Sequence, residues 1–511
     1  MTKKETKPLA PCVSVLGTGS DVGKSIVAAA FCRMIANRGY RVAPYKAQNM
    51  SNNSFVTVLG GEMGRAQVVQ AEASRIIPHT DMNPILLKPS TNTGAQVVLN
   101  GHVMGHREAY AYFSDTSALY EKAKKALVRL RNEYDVIVME GAGSCAEMNL
   151  KDRDFVNFRS ATDANAPVIL VGDIDRGGIF AQLIGTWQLL PEGERARIKG
   201  FLINRFRGDA RLFDDGIKYI EEKTVVPILG LIPYFYHIEI DSEDGLPLDV
   251  LLNPKEKLDD NKINMAVIRL AHISNFTDFA PFSRDAKIRL HYLSKPKDLS
   301  KYDIVFLPGS KNTRADMMWM KDTGWDQEII AYANNGGKVT GICGGYQLLG
   351  KKISDPRGVE GLPGECEGLG LLPVETELQK EKTLSQTTAA WLKGSHVVSG
   401  YEIHMGITRK TGASAKSALT VISRNGEAVS DETDGMITDD HRIWGTYIHG
   451  IFDAPEPRHR FLNALRPFYT PDTDTDRLAY RDEQYDLLAK HFEEHMNMDL
   501  FWPIIGLSPE K

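Results

Sequence analysis

The segment Ser14-Val15-Leu16-Gly17-Thr18-Gly19-Ser20-Asp21-Val22-Gly23-Lys24-Ser25 decides the reading of the first half of the chain. A short apolar run, CVSVLG (12–17), leads into it and reads as a buried strand. A helical pattern, GKSIVAAAFCRMIANRG (23–39), leads out of it. Strand, glycine-rich turn and helix in that order make a phosphate-binding loop. Backbone N–H groups and the helix N-terminus surround phosphate oxygens there. The candidate nucleotide-binding residues are Gly19, Ser20, Asp21, Val22, Gly23, Lys24 and Ser25. Lys24 is placed to reach the β- and γ-phosphates of ATP, and Ser25 to set its hydroxyl on Mg²⁺. The spacing departs from G-x-x-x-x-G-K-S, because Thr18 stands where the first glycine is expected.

Further apolar runs follow at 134–141 (YDVIVMEG), 166–173 (APVILVGD) and 198–205 (IKGFLINR), with a helical stretch at 117–134. This alternation predicts an α/β unit with a parallel sheet and helices on both faces. Ligands of such sheets lie at the C-terminal strand ends. Glu140 ends one strand and is a Mg²⁺ partner candidate beside Ser25. Asp173 and Asp175 end the next, to serve substrate or metal or to cap the following helix. Lys46 follows the strand RVAPY and would neutralise charge on a transferring phosphoryl group. Asn204 and Arg205 end a further strand, where a purine base is expected.

At 241–262 the pattern breaks into DSEDGLPLDVLLNPKEKLDDNK, a polar linker. A second strand series follows at 263–270, 303–309, 338–343 and 442–450. Within it, Gly341-Ile342-Cys343-Gly344-Gly345 is a G-x-C-x-G nucleophile elbow, the thiol counterpart of G-x-S-x-G. A helix N-terminus beside the thiol favours the reactive thiolate. His449, at the end of IWGTYIH, is the expected general base and acid, with His404 as its rival. Backbone N–H groups of Gly309 and Gly344 are candidates for an oxyanion hole. The division expected is 1–240, a linker at 241–262, a second domain at 263–455, and a helical appendage to that second domain at 456–511.

Composition sets the outer limits. Hydrophobic residues make up 42% and charged residues 25% of 511, as in an ordinary soluble protein. A net charge of −5 gives no basic field for nucleic acid. No apolar run approaches the roughly 18–20 residues of a membrane span. The five cysteines, at 12, 32, 145, 343 and 366, form no C-x-x-C pair and are odd in number, which fits a reducing cytoplasm.

The first loop, read as G-T-x-S-x-x-G-K-S, resembles that of the dethiobiotin synthetase group. The partition and septum-site ATPases carry an early signature lysine where this chain has Gly19, which counts against a dimerising ATPase switch. The elbow and its distant histidine resemble class I glutamine amidotransferases. Those usually continue H-P-E, whereas this chain reads His449-Gly450-Ile451. That form resembles the Cys–His dyad of the cobyrinic acid amidase branch and leaves open what orients His449.

KAQNMSNNS, MNPILLKP, NLKDRDFVNF, VGDIDRGGIFA, ISNFTDF, LPGSKNT and GTYIHGIFD extend the likeness over nearly the whole chain, which resembles the cobyric acid synthase family. The resemblance implies a dethiobiotin synthetase-like P-loop domain followed by a class I glutamine amidotransferase-like domain. It implies ATP- and glutamine-dependent amidation of the b, d, e and g carboxylates of adenosylcobyrinic acid a,c-diamide, through acyl phosphates, in cobalamin biosynthesis. Cys343 takes the place of the nucleophile and His449 that of the histidine. The corrinoid is a small-molecule substrate; no nucleic-acid or membrane partner is implied. The alternatives are an amidoligase for the a and c carboxylates or another acid, a dethiobiotin-type carboxylation ligase, and a non-enzymatic ATPase switch. The ligase would need neither Cys343 nor His449.

Two departures carry expectations. Relatives often have an acid before G-G-E where this chain has Leu59, so Glu62 or Glu140 must serve magnesium. Asn100-Gly101-His102-Val103-Met104-Gly105 approximates the D-x-H-x-x-G motif of cobalt-ligating proteins, with Asn where Asp would orient the imidazole.

Overall fold

The computed structural model describes residues 8–89, 94–108, 112, 116–241, 257–391, 396–412, 416–471 and 476–510. Six parallel strands form the first sheet. In spatial order they are Ile228–Pro233, Ile198–Phe206, Val168–Asp173, Cys12–Gly17, Val136–Glu140 and Val42–Tyr45. The strand that feeds the glycine loop is central. Its residues alternate between two cores: Cys12 and Leu16 face one, Val13 and Val15 the other. Burial on both faces explains the unbroken apolar run. The helices Lys24–Asn37 and Ser117–Glu133 fall within the stretches that periodicity predicted.

Between residues 48 and 108 the chain makes a smaller sheet outside the βα alternation. Its strands are Gln48–Met50, Ile85–Pro89, Gly94–Leu99 and His102–Glu108. A hairpin of Ser54–Val56 and Glu62–Gly64 lies beside it. Asn100 and Gly101 form the two-residue turn joining Gly94–Leu99 to His102–Glu108. The NGHVMG stretch is therefore a hairpin signature, with His102 exposed.

The second unit has a sheet of Ile288–Leu293, Ile263–Ile268, Ile304–Leu307, Val339–Ile342, Ile443–Thr446 and Met436–Ile437, in that order, parallel except for the last strand. The four strands read from the sequence are all present. Across the elbow lies an antiparallel hairpin of two long strands, Val374–Trp391 and His396–Lys410. Its register slips between Leu378 and Thr383, a bulge in the first strand.

Most of the linker, 242–256, lies outside the described residues. The C-terminal stretch divides. Pro455–Leu465 packs in the second unit's core through Phe461 and Leu462. Arg477–His495 and Met498–Ile505 instead close one face of the first sheet, through Tyr485, Leu488, Phe492, Phe501 and Trp502. The expected appendage to the second domain is thus corrected from residue 477 onward. The cause is an uncovered apolar face on the helix Lys24–Asn37. Phe501 sits 4.8 Å from Phe31 between ring centroids, and each such side chain contributes about 1.5–3 kcal/mol on burial. Charge fixes the register. The buried Arg33 guanidinium pairs with Asp482 at 2.7 Å and Asp486 at 2.8 Å, and Asp241 joins Arg65 at 2.6 Å to Arg477 at 3.1 Å.

Candidate active sites

The glycine loop lies between the central strand and the helix Lys24–Asn37, as its sequence predicts. Gly23 has φ +98°, and a Cβ there would come within 2.2 Å of Asn204 Nδ2. Asn204 Nδ2 also donates to the Val22 carbonyl at 2.9 Å, so this side chain braces the loop from a neighbouring strand. Lys24 Nζ donates to the carbonyls of Gly19 at 2.8 Å and Gly143 at 2.9 Å. Ser25 Oγ donates to Glu140 Oε1 at 2.8 Å, and Lys46 Nζ reaches the same oxygen at 2.8 Å. Gln67 and Gln70 donate to Glu140 Oε2. The predicted pair Ser25–Glu140 and the predicted Lys46 thus meet at one buried carboxylate.

The other predicted residues at this edge form an ionic rim. Arg205 bridges Asp173 at 2.9 Å and Asp21 at 3.3 Å, and Arg207 holds Asp175 at 2.5 Å. Glu62 is placed elsewhere. It is fully buried with Lys88 at 2.7 Å on one oxygen and Lys382 at 2.5 Å on the other. Both oxygens are occupied by ammonium groups, whereas Ser25 donates to Glu140.

Cys343 sits between Val339–Ile342 and the helix Gly344–Leu349 at φ 54°, ψ −109°, a backbone rarely adopted by L-residues. The turn is held by its N–H donating to the Thr446 carbonyl at 2.8 Å. Gly345 is forced by contact: a Cβ there would lie 1.9 Å from the Leu307 carbonyl oxygen. Gly344 lines the cysteine pocket and packs against the Ser310 backbone N, and Gly309 lies beside the His449 ring.

His449 ends the neighbouring strand path and is 1% exposed. Its Nδ1 meets Asp278 Oδ2 at 2.7 Å, and Asp278 Oδ1 accepts the Gly450 N–H at 2.8 Å. Burial works against its charged form, but Asp278, and after it the nearby Cys343 thiol, push the imidazole up to about 10. His404 lines the same pocket, but its ring is turned to the Gly406 carbonyl and Glu402 and stacks on Tyr447.

Comparison with known proteins agrees with this layout. A CobQ/CobB/MinD/ParA nucleotide-binding domain model matches residues 13–248, and a CobB/CobQ-like glutamine amidotransferase domain model matches residues 264–457. A cobyric acid synthase of Chlorobium phaeobacteroides (strain BS1) is 54% identical over 494 residues, 97% of this chain and 99% of that one. Those of Chlorobaculum tepidum and Syntrophobacter fumaroxidans are 52% and 45% identical, covering 97% and 96% of this chain and 98% of each relative. The chain belongs to the cobyric acid synthase family. It is an amidoligase with a glutamine amidotransferase domain.

Within that family frame, Asp278 is the residue that sequence reading missed. It lies in ISNFTDF, some 170 positions before its partner, on a short 3-10 turn, Phe276–Phe279. The usual third member stands two residues after the histidine, where this chain has Ile451, itself 1% exposed in the core. The one available signal was an acid among apolar residues in a quoted motif. Asn275, three residues earlier, accepts the Ser54 N–H at 3.2 Å and donates its own N–H to Asn53 Oδ1 at 3.0 Å. The two units are therefore joined next to the histidine's partner. Among the described residues, no helix is long and apolar enough to cross a membrane.

Proposed function

We propose that this enzyme amidates the b, d, e and g carboxylates of adenosylcobyrinic acid a,c-diamide, giving adenosylcobyric acid in cobalamin biosynthesis. The observation that carries the coupling of its two halves is the pocket at Cys343, which is walled in part by Lys88 of the first unit. Glutamine hydrolysis thus abuts the synthetase half.

At the elbow, the Cys343 thiolate attacks the glutamine amide carbon. Backbone N–H groups of Gly309 and Gly344 hold the oxyanion. The His449 imidazolium, kept charged by Asp278, gives its proton to the departing ammonia. Water then cleaves the thioester with His449 as base, releasing glutamate and the free thiol.

In the first unit, Gly19 to Ser25 wrap the ATP phosphates. Lys24 exchanges its two backbone carbonyls for phosphate oxygens. Ser25 and Glu140 would hold Mg²⁺, which supplies charge neutralisation at the β- and γ-phosphates. A substrate carboxylate takes the γ-phosphoryl group to form an acyl phosphate, ammonia attacks the carbonyl carbon, and phosphate leaves. Lys46 stabilises charge on the transferring group. Asn204 braces the loop, and Arg205 sets Asp173 beside it, with Asp173 and Asp175 as substrate-side candidates. The P-loop unit comprises 1–240 with 477–505 added, the enzyme is cytoplasmic, and His449 rather than His404 is the acid–base group.

Incubation with ATP, Mg²⁺, glutamine and the a,c-diamide, read by mass, is expected to add four amides; no gain on any corrinoid refutes the reading. Cys343→Ala is expected to abolish glutamine-supported amidation while ammonium still supports it. Loss of both would refute a separate glutaminase site.

A further inference from the structure

One buried carboxylate beside the cysteine pocket has no part in the steps above. Asp316 lies in the first turn of the helix Thr313–Thr323 and is fully buried. Its Oδ1 accepts the backbone N–H of His272 at 3.0 Å and lies 2.9 Å from Nδ1 of the same residue. Its Oδ2 accepts the Ser310 hydroxyl at 2.5 Å. Ser310 Oγ in turn accepts the Asn312 N–H at 3.1 Å. An ionised carboxylate is costly to bury unless donors meet its oxygens. Here the donors come from two other segments, both of which lead into the cysteine pocket.

Those segments form a ladder of two residue pairs. Ile273–Ser274 runs antiparallel to Gly309–Ser310, with Ile273 opposite Ser310 and Ser274 opposite Gly309. Just beyond it the Lys311 N–H donates to the His272 carbonyl at 2.9 Å. So short a ladder is marginal on its own, and Gly309 has already left the strand Ile304–Leu307 of the main sheet. Asp316 clamps the outer end, with one oxygen on each strand. The inner end carries the chemistry. A Cβ on Gly309 would lie 3.2 Å from the His449 ring, and a Cβ on Gly344 would lie 2.6 Å from the Ser310 backbone N. The ladder therefore sits between the imidazole and the start of the elbow helix, and its alignment sets where its amides point.

We propose that Asp316 is a positioning residue for glutamine hydrolysis: through Ser310 and His272 it holds the strand Gly309–Ser310 so that the oxyanion formed on attack by Cys343 meets a fixed backbone donor. The inference rests on the oxyanion reading given above. A carboxylate suits the task because it accepts from both strands at once. An amide of the same shape accepts with one oxygen only, and the Ser310 hydroxyl would lose its acceptor. His272 is half-exposed, and its hydrogen bond to Asp316, working against burial, raises the imidazole above its ordinary value. Its charged form thus adds a charge-assisted bond to the clamp. Oxyanion donors act where charge develops, so a loosened ladder costs the transition state and leaves the bound glutamine little changed.

Asp316→Asn is compared with the parent in the full-length enzyme, and Ser310→Ala gives a second route if that variant folds poorly. Glutaminase kcat and KM are measured, together with the rate at which iodoacetamide alkylates Cys343, read by peptide mass. Alkylation needs the thiolate but forms no oxyanion, so it separates a misaimed donor from a damaged Cys–His pair. In either variant kcat is expected to fall about tenfold to a hundredfold, somewhat less than the loss of a donor outright. KM and the alkylation rate are expected to stay within about twofold of the parent, since neither depends on the oxyanion. An unchanged kcat, a rise in KM alone, or alkylation falling in step with kcat overturns the role given to Asp316. Undiminished glutamine hydrolysis by the parent after full alkylation of Cys343 would instead overturn the glutaminase reading itself.

Discussion

The two strand–turn–helix sites of this chain are built alike and poised differently. At the elbow the reactive group is already assembled: strained backbone at Cys343, a buried imidazole, and a carboxylate fixing it. At the glycine loop the key cation is satisfied by its own backbone, Lys24 resting on Gly19 and Gly143. The first site is preorganised, and what remains to be controlled is when it fires. On the proposed function, the second completes itself when phosphate replaces those carbonyl oxygens. A chain that hydrolyses one substrate for the benefit of another needs that asymmetry.

The largest effect that would sharpen the contrast is at Asp278. Asp278→Asn keeps the shape but removes the charge that holds the His449 imidazolium, and glutaminase turnover is expected to fall by roughly a thousandfold to ten-thousandfold. The sign with pH follows. With Asp278 present the imidazole stays protonated below about 10. Without its charge the folded value drops, and residual activity should be lost as pH rises through that lower value. A flat pH profile with full activity would show that Asp278 does not orient His449. Ammonium-supported amidation should be untouched.

Lys24→Met addresses the other side. Loss of a preorganised phosphate cation is expected to cost on the order of 10²–10³ in amidation with either nitrogen source. Glutaminase measured alone should keep its chemistry. Equal loss of both would mean that the loop acts on the elbow even without ligand.

The C-terminal helices give a third test, through stability. Phe492 is fully buried against the first sheet, and Phe492→Ala is expected to destabilise that unit by about 3–5 kcal/mol. Thermal unfolding should then separate into two transitions with the glutaminase unit less affected. A uniform loss would place these helices in both units.

How much of this was legible in the sequence depends on whether the signal was local. The Cys12–Gly17 strand, the glycine loop and the elbow are each specified within a dozen residues, by burial on both faces and by turns that only small residues allow. Ser25, Glu140 and Lys46 could be placed at one edge because parallel strands deliver their C-termini together. Position in the chain assigns the helix Arg477–His495 to the second domain, because Arg33, the residue that fixes it to the first, is some 450 positions away. Asp278 failed for the same reason. It is an acid on a 3-10 turn, its partner is fixed only by tertiary approach, and the local search ended at Ile451. Glu62 is offered for magnesium because Leu59 stands where relatives often have an acid; its two lysine partners come from different sheets and leave no local signal.

The smallest predicted effect tests the joint between the two halves. Asn53 and Asn275 hold each other's segment through side chain and backbone, in opposite directions. Asn53 follows Lys46 by seven residues on the synthetase side, and Asn275 precedes Asp278 by three on the glutaminase side. Asn53→Ala removes one acceptor from a buried backbone N–H, a cost of about 1–2 kcal/mol or a 5–30-fold effect. If the joint only glues the units, that loss should be in overall stability, with glutaminase turnover unchanged below the unfolding temperature. If it seats the turn carrying Asp278, turnover should fall by that factor and the pH profile should shift as in Asp278→Asn, only less. The second outcome is expected, because the orphaned N–H belongs to Asn275, at the start of the 3-10 turn that aims the carboxylate.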